Sequence, residues 1–187
     1  MKKRNKKEVT PQIVCEFLVY EAATGEFVWL ARADHHFDCP ADALRWNVRY
    51  AGTPAFKNVG AGGYRISGIF KNGLYGHRVA WAYVHGYWPS VDVDHINRDR
   101  SDNRLENLRL ATRSENCRNG SAHIDSATGL KGVRINGGKG KRYTAYIYVN
   151  GRSRRLGNYN DPLDAQAAYV AAAEREFGKF ATDGSRL

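Results

Sequence analysis

The chain has 187 residues, 42% hydrophobic and 26% charged, which suits a folded globular protein of one medium domain or two to three small ones. Its 29 Lys and Arg against 19 Asp and Glu give a formal net charge of +10, which points to a polyanionic partner. No stretch approaches 18 apolar residues and the basic start lacks the apolar core of a signal peptide, so neither a membrane span nor export is expected.

The charge is concentrated at the ends. Residues 1–10 hold five Lys or Arg against one Glu, and residues 124–187 hold eleven against six, leaving the middle almost neutral. Cys15, Cys39 and Cys117 show no CxxC spacing, which predicts reduced thiols in a cytoplasm and no structural zinc or disulfide framework.

From the N-terminus, residues 1–10 read as a solvated basic tail containing KKRNKK, with backbone phosphate tracking as the alternative. Thr10 and Pro11 look like an N-cap and first helical residue, and Ile13, Val14, Phe17 and Leu18 continue at helical spacing to about Tyr20. Thr24 and Gly25 read as a turn into a strand through Phe27 and Trp29. Residues 34–47 show no clear period, so a loop is expected there. His35 and His36 have no companion ligand at metal spacing and are read as part of that loop.

From Gly60, two strands are expected around a turn at Asn72 and Gly73, followed by a helix from about His77 to His85 with Val79, Ala80, Tyr83 and Val84 packed on the hairpin. Val91, Val93 and Ile96 then alternate as a short strand. Asn97 to Asn103 is turn chemistry, and Leu105, Leu108 and Leu110 return as a second strand. Thr112 with Glu115 has capping-box spacing for a short helix that carries Asn116 and ends near Gly120.

This strand, loop, strand, helix unit would bring Asp94, His95 and Asn116 together. A carboxylate and an amide oxygen suit one hard, water-rich divalent cation, Mg2+ or Mn2+. A neutral imidazole suits a base that deprotonates water for attack on a phosphodiester. Plain turn chemistry is the competing reading of the Asp-His pair.

The DH pair at 94–95, the NL pair at 107–108 and the Asn of SEN at 116 resemble the HNH endonucleases, in particular the phage and intron-encoded homing branch. That resemblance implies a ββα-metal unit with His95 as general base, Asp94 and Asn116 as metal ligands, and Asn107 bracing the loop and orienting His95. It implies magnesium or manganese rather than zinc, since Asn stands in the third position where many relatives have His. It extends to an HR helix start, His77 and Arg78, and to the Gly86 to Pro89 turn, making His77 and Arg78 second-rank site candidates beside a structural role.

Residues 121–128 are small and polar and read as a linker, with a second module from Gly129. Tyr143, Ala145, Ile147 and Val149 alternate, Asn150 and Gly151 give a type I′ turn signal, and Arg155 to Tyr159 returns as a strand. A helix starting at Asp161 and Pro162 carries a small-residue stripe. The GVR run at 132–134, the strand YTAYI, the LG pair at 156–157 and the alanine-rich helix resemble the plant Apetala-type (ethylene-response-factor) DNA-binding domain. That resemblance implies a sheet in the DNA major groove, with Lys131, Arg134, Tyr146, Tyr148 and Arg155 as contacts and Arg142, Arg152 and Arg154 as backbone clamps. Two tryptophans expected at the DNA face are absent, and the loop at 137–141 is lengthened, so no target sequence carries over.

The expectation is therefore an α+β protein: a basic tail (1–10), an HNH nuclease domain (11–120) with an N-terminal helix and hairpins, a linker (121–128) and an Apetala-type domain (129–187) with a three-stranded antiparallel sheet on one helix. The expected function is a metal-dependent, site-specific endonuclease of homing type acting on double-stranded DNA, as a monomer that nicks or a weak dimer that cuts both strands. The expected location is the cytoplasm, that of a host cell if the gene belongs to a phage. The alternative is a DNA-binding regulator with a non-catalytic HNH scaffold.

Overall fold

A computed structural model describes residues 7–123, 125–137, 140 and 142–185. Residues 1–6, most of the KKRNKK tail, and most of the Gly and Lys loop at 137–141 lie outside the described residues. The chain divides into two compact units, Met1–Leu110 and Ala111–Leu187.

In the first unit, helix α1 (Pro11–Phe17) starts as the sequence predicts, with the Thr10 side chain accepting from the Ile13 N–H. It ends three residues before Tyr20, because Leu18–Glu21 leaves as strand β1 to pair antiparallel with β2 (Glu26–Trp29). β3 (Pro54–Ala55) completes that sheet. Most of the stretch 34–47, expected as loop, is instead taken up by helix α2 (Pro40–Tyr50), with proline at its start and one fully buried residue, Ala43. Ala43, Trp46 and Tyr50 recur at helical spacing on one face, and Trp46 and Tyr50 pack beside the core.

The second sheet joins β4 (Asn58–Val59), β5 (Arg65–Ile69) and β6 (Asn72–Tyr75). Its hairpin turns at Phe70 and Lys71, both at positive φ, rather than at Asn72 and Gly73. Tertiary packing overrides the local signal: Phe70 rests edge-on against Phe17, with ring centroids 5.2 Å apart. Helix α3 (Gly76–His85) follows, buries Val79 and Ala80, leaves Val84 exposed, and stops at Gly86 in the left-handed conformation. Strands β7 (Asp92–His95) and β8 (Leu108–Ala111) form a two-stranded sheet. The shared core contains Val14, Phe17, Leu18, Phe27, Phe56, Ile69 and Val79.

In the second unit, α4 (Arg113–Asn119) carries the expected capping box between Thr112 and Glu115. Residues 121–128 are not a free tether. Ala122 N–H donates to Gly184 O, and Ser121 Oγ donates to Ser185 O. Strands β9 (Val133–Ile135), β10 (Tyr143–Val149) and β11 (Arg152–Tyr159) form an antiparallel sheet, with β10 central and Asn150–Gly151 as its hairpin turn. Helix α5 (Pro162–Phe177) lays Ala165, Tyr169, Ala172 and Ala173 on Val133, Ala145 and Ile147. The fold is α+β, with a three-stranded antiparallel sheet packed on one helix in the C-terminal unit.

Candidate active site

β7 is short and buried along three consecutive residues, Val93, Asp94 and His95. A strand buried on both faces has no solvent side for a charge, so each polar side chain needs a partner. Asp94 Oδ2 accepts from Arg109 Nε at 2.8 Å and lies 2.7 Å from its terminal nitrogen, with both side chains at or below 10% exposure. Arg109 lies on β8, so the two strands are joined by charge as well as by backbone pairing.

After His95 the chain makes a loop that Asn107 closes. Asn107 accepts from the Asn97 N–H at 2.9 Å and donates to Asn97 Oδ1 and Asp102 O, both at 2.9 Å. The Ile96 N–H donates to Asn107 O. Within the loop, Arg104 hydrogen-bonds Asp102 and holds that carboxyl down to about 2.

The side chain that engages the His95 ring in this loop is Asn103, with Oδ1 3.2 Å from His95 Nε2. With the Asn103 amide oxygen facing the ring, the matching tautomer is the one that carries its proton on Nε2 and leaves Nδ1 as the basic nitrogen. Asn103 is 1% exposed, and Tyr20 donates to its carbonyl at 2.7 Å. Burial, then Asp102 and Glu21, pushes the Tyr20 hydroxyl up to about 12, keeping it a donor. Two glycines make the space. A Cβ on Gly76 would lie 2.6 Å from Asn103 Nδ2, and one on Gly25, at φ +74°, would meet the Asn103 carbonyl carbon at 2.6 Å. In the sequence, Asn103 stands as the last residue of a stretch rich in turn formers. Its signal is indirect: a loop that leaves and returns beside His95 must bring its last residues near that ring.

Burial holds the His95 imidazole below its ordinary value, against the opposing pull of the Asn103 hydrogen bond and of Asp94, Asp102 and Asp99. His77, on α3, sits edge-on to His95 with centroids 5.0 Å apart. Burial, then His95 and Arg78, pushes it down to about 3, and its buried Nδ1 has no hydrogen-bond partner among the described residues. Tyr64 covers both rings, and Arg100 lies over Tyr64 while donating to Gly62 O. Arg78 acts on this cluster only through its charge; its guanidinium donates to Pro89 O and Val91 O, stapling α3 to the segment that enters β7.

Asp94, His95, Asn107 and His77 therefore share one region of the first unit, whereas Asn116 lies on α4 in the second. The donors named for a cation, one carboxylate and one amide oxygen, are hard oxygens, and their chemistry fits a divalent ion that keeps most of its water. Among the described residues, no three His, Cys, Asp or Glu side chains cluster as a metal group.

In the second unit, strand register sorts the predicted DNA contacts into two faces. Arg134 pairs with Thr144, and Arg155 with Tyr146, so these point away from α5 with Tyr148. The Arg134 guanidinium stacks on Tyr146 at 3.9 Å, and Tyr148 is 62% exposed. Arg152 and Arg154 pair with Val149 and Ile147 on the helix side, and Arg154 reaches Glu176 of α5 at 2.6 Å. Lys131 turns inward and donates to Arg118 O and Gly120 O, the last carbonyls of α4. Arg142 is exposed just ahead of β10. Arg152 and Arg154 thus lie off the outer face, two residues apart on the side of the strand opposite Arg155 as the register from the Asn150–Gly151 turn sets it, and Lys131 is held by the carbonyls at the end of α4.

Residues 74–118 match the HNH endonuclease family. Over 128 residues the chain is 35% identical to a protein described as an uncharacterized HNH endonuclease of Acanthamoeba polyphaga mimivirus, covering 66% of this chain and 63% of that relative. The chain thus spans a little under two thirds of the viral protein's length. No solved structure matches it. No described helix is long and apolar enough to cross a membrane.

Proposed function

We propose that the protein is a metal-dependent, site-specific DNA endonuclease of homing type. The observation that carries this reading is a buried His95, held below its ordinary value by burial and with Asn103 Oδ1 3.2 Å from its Nε2, within the segment that matches the HNH family. In the proposed reaction, His95 Nδ1 accepts a proton from water as that water's oxygen attacks phosphorus. The P–O bond opposite breaks, and the departing oxygen takes a proton from solvent.

Asp94 and Asn116 are the residues we assign to holding one Mg2+ or Mn2+, which would supply neutralisation of charge at the phosphate and the departing oxygen. Arg109 fixes the orientation of Asp94 by occupying Oδ2. Asn107 keeps the 97–102 loop closed so that His95 and Asn103 stay in register. Tyr64 and His77 shield the imidazole from bulk water.

The second unit is proposed to hold duplex DNA by the outer face of its sheet, in the manner of an Apetala-type domain, through Arg134, Tyr146, Tyr148 and Arg155, with Arg142 at its edge. Division into a cutting unit and a reading unit fits a net charge of +10. The test is a time course on supercoiled plasmid in magnesium, manganese or chelator. Open-circular product that requires the metal supports the reading and indicates one strand cut per event; linear product from the outset indicates a dimer. Intact plasmid under all conditions, with tight salt-sensitive binding, would move the assignment to a DNA-binding regulator.

A further inference from the structure

The first unit carries a second cationic feature away from the His95 region. Arg32 follows β2, and Asn47 on α2 clamps its backbone: Asn47 Oδ1 accepts from the Arg32 N–H at 2.8 Å, and Asn47 Nδ2 donates to Arg32 O at 2.9 Å. The guanidinium then lies among three aromatic rings, 3.8 Å from Trp46, 4.2 Å from Phe17 and 4.9 Å from Trp29. Its Nε is sealed from solvent without a hydrogen-bond partner, whereas the terminal nitrogens are not sealed.

No carboxylate among the described residues pairs with this charge. Glu16, next to Phe17 on α1, is engaged by His36 at 3.2 Å. Burial alone acts on the guanidinium, drawing it down to about 10. Aromatic faces return part of the cost of removing a cation from water but provide no hydrogen-bond acceptor. What remains is a rigid fork with its faces covered and its N–H edge lacking an acceptor, the geometry that suits a planar or tetrahedral oxyanion.

The feature continues along α2. Trp46 packs on Tyr50 with centroids 5.2 Å apart, and Arg49 lies 5.2 Å over the Tyr50 ring, likewise without a carboxylate partner among the described residues. Two guanidinium groups thus flank one aromatic pair on a short helix of a strongly basic chain.

We propose that Arg32 and Arg49, set on the Trp46–Tyr50 ladder, form a phosphate-contact site for the backbone of duplex DNA. This rests on the nucleic-acid reading above and adds residues of the first 60 to the DNA interface, at a place separate from the hydrolytic residues. The fork positions the duplex without reading bases, since phosphate contacts fix register and carry no sequence code.

The test is binding of a fluorescent DNA duplex by the full chain in chelator, followed by anisotropy across a salt series, for the parent, Arg32→Met, Arg32→Lys and Arg49→Met. Each Arg→Met change is expected to reduce the slope of log affinity against log salt by about 0.9, one phosphate contact. Arg32→Lys keeps the slope and weakens binding through loss of the fork. Unchanged slope and affinity in both Met variants, with melting temperatures retained, overturns the site, as an acidic-peptide partner would also produce. If Arg32→Met unfolds, Arg49→Met decides by the same criterion. A parent chain that binds no duplex at any salt overturns the nucleic-acid reading itself, and this site with it.

Discussion

Asn103 Oδ1 lies 3.2 Å from His95 Nε2 across a loop pinned at both ends by Asn107. Backbone bracing and ring orientation are therefore handled by two different asparagines. Asn103→Leu is expected to lower the cleavage rate about 10²-fold, the scale of a misplaced catalytic group, while duplex binding in chelator is unchanged. Nitrogen-15 spectra of His95 should show one tautomer, protonated at Nε2, in the parent and a mixture in the variant. A single Nδ1-protonated form in the parent would remove the basis for this role.

Gly76 gives the same geometry a second test. A Cβ there would stand 2.6 Å from Asn103 Nδ2, inside van der Waals contact and against a buried side chain whose backbone is held by Tyr20 and closely approached by Gly25. Gly76→Ala should cost about 1–3 kcal/mol in chemical denaturation, the usual range for overpacking, and should slow cleavage beyond what its stability loss explains. Wild-type stability and rate would mean that the Asn103 amide relocates freely.

Acid should destabilise the first unit through His77. Its folded value is about 3 and its ordinary value 6.5, so the unfolded chain takes up the proton first as pH falls. The stability associated with neutral His77 is fully present above about pH 6.5 and declines from there to about pH 3, at about 1.4 kcal/mol per pH unit. His95, shifted in the same direction by burial, adds to the trend. His77→Phe should flatten the dependence of melting temperature on pH across this window; an unchanged slope would show that His77 is hydrated in solution.

The two faces of the C-terminal sheet should respond differently to substitution. Arg155→Ala and Tyr148→Ala, on the outer face, are expected to weaken duplex binding with little change in melting temperature. Arg154→Ala, which loses an exposed ion pair with Glu176, should cost at most about 1 kcal/mol of stability and leave binding unchanged. Equal binding loss in all three would mean that the DNA meets the sheet edge rather than its outer face.

Local chemistry made much of the fold legible. The Thr10 cap, the Thr112 and Glu115 box, the Asn150–Gly151 turn and the alternation through Tyr143–Val149 each satisfy backbone or burial demands within a few residues. Failures fall where distant packing decides. The Phe70–Lys71 turn is drawn from Asn72–Gly73 by the Phe17 contact, and the Ala43, Trp46 and Tyr50 face of α2 gains its meaning from the core it meets, with exposed Leu44 and Val48 blurring the pattern in the sequence. Asn103 illustrates the same limit at the candidate site. Its value comes from Tyr20, Gly25 and Gly76, all remote in sequence, which no spacing rule connects to His95.

The most direct test of the account compares the protein with His95→Ala on supercoiled plasmid and on its own flanking DNA, in magnesium and in chelator, with duplex binding measured in parallel. The account predicts metal-dependent strand cleavage by the parent, a loss of about 10²-fold or more in the variant, and binding by the variant within a few-fold of the parent. Cleavage by His95→Ala at the parental rate would contradict His95 as the base.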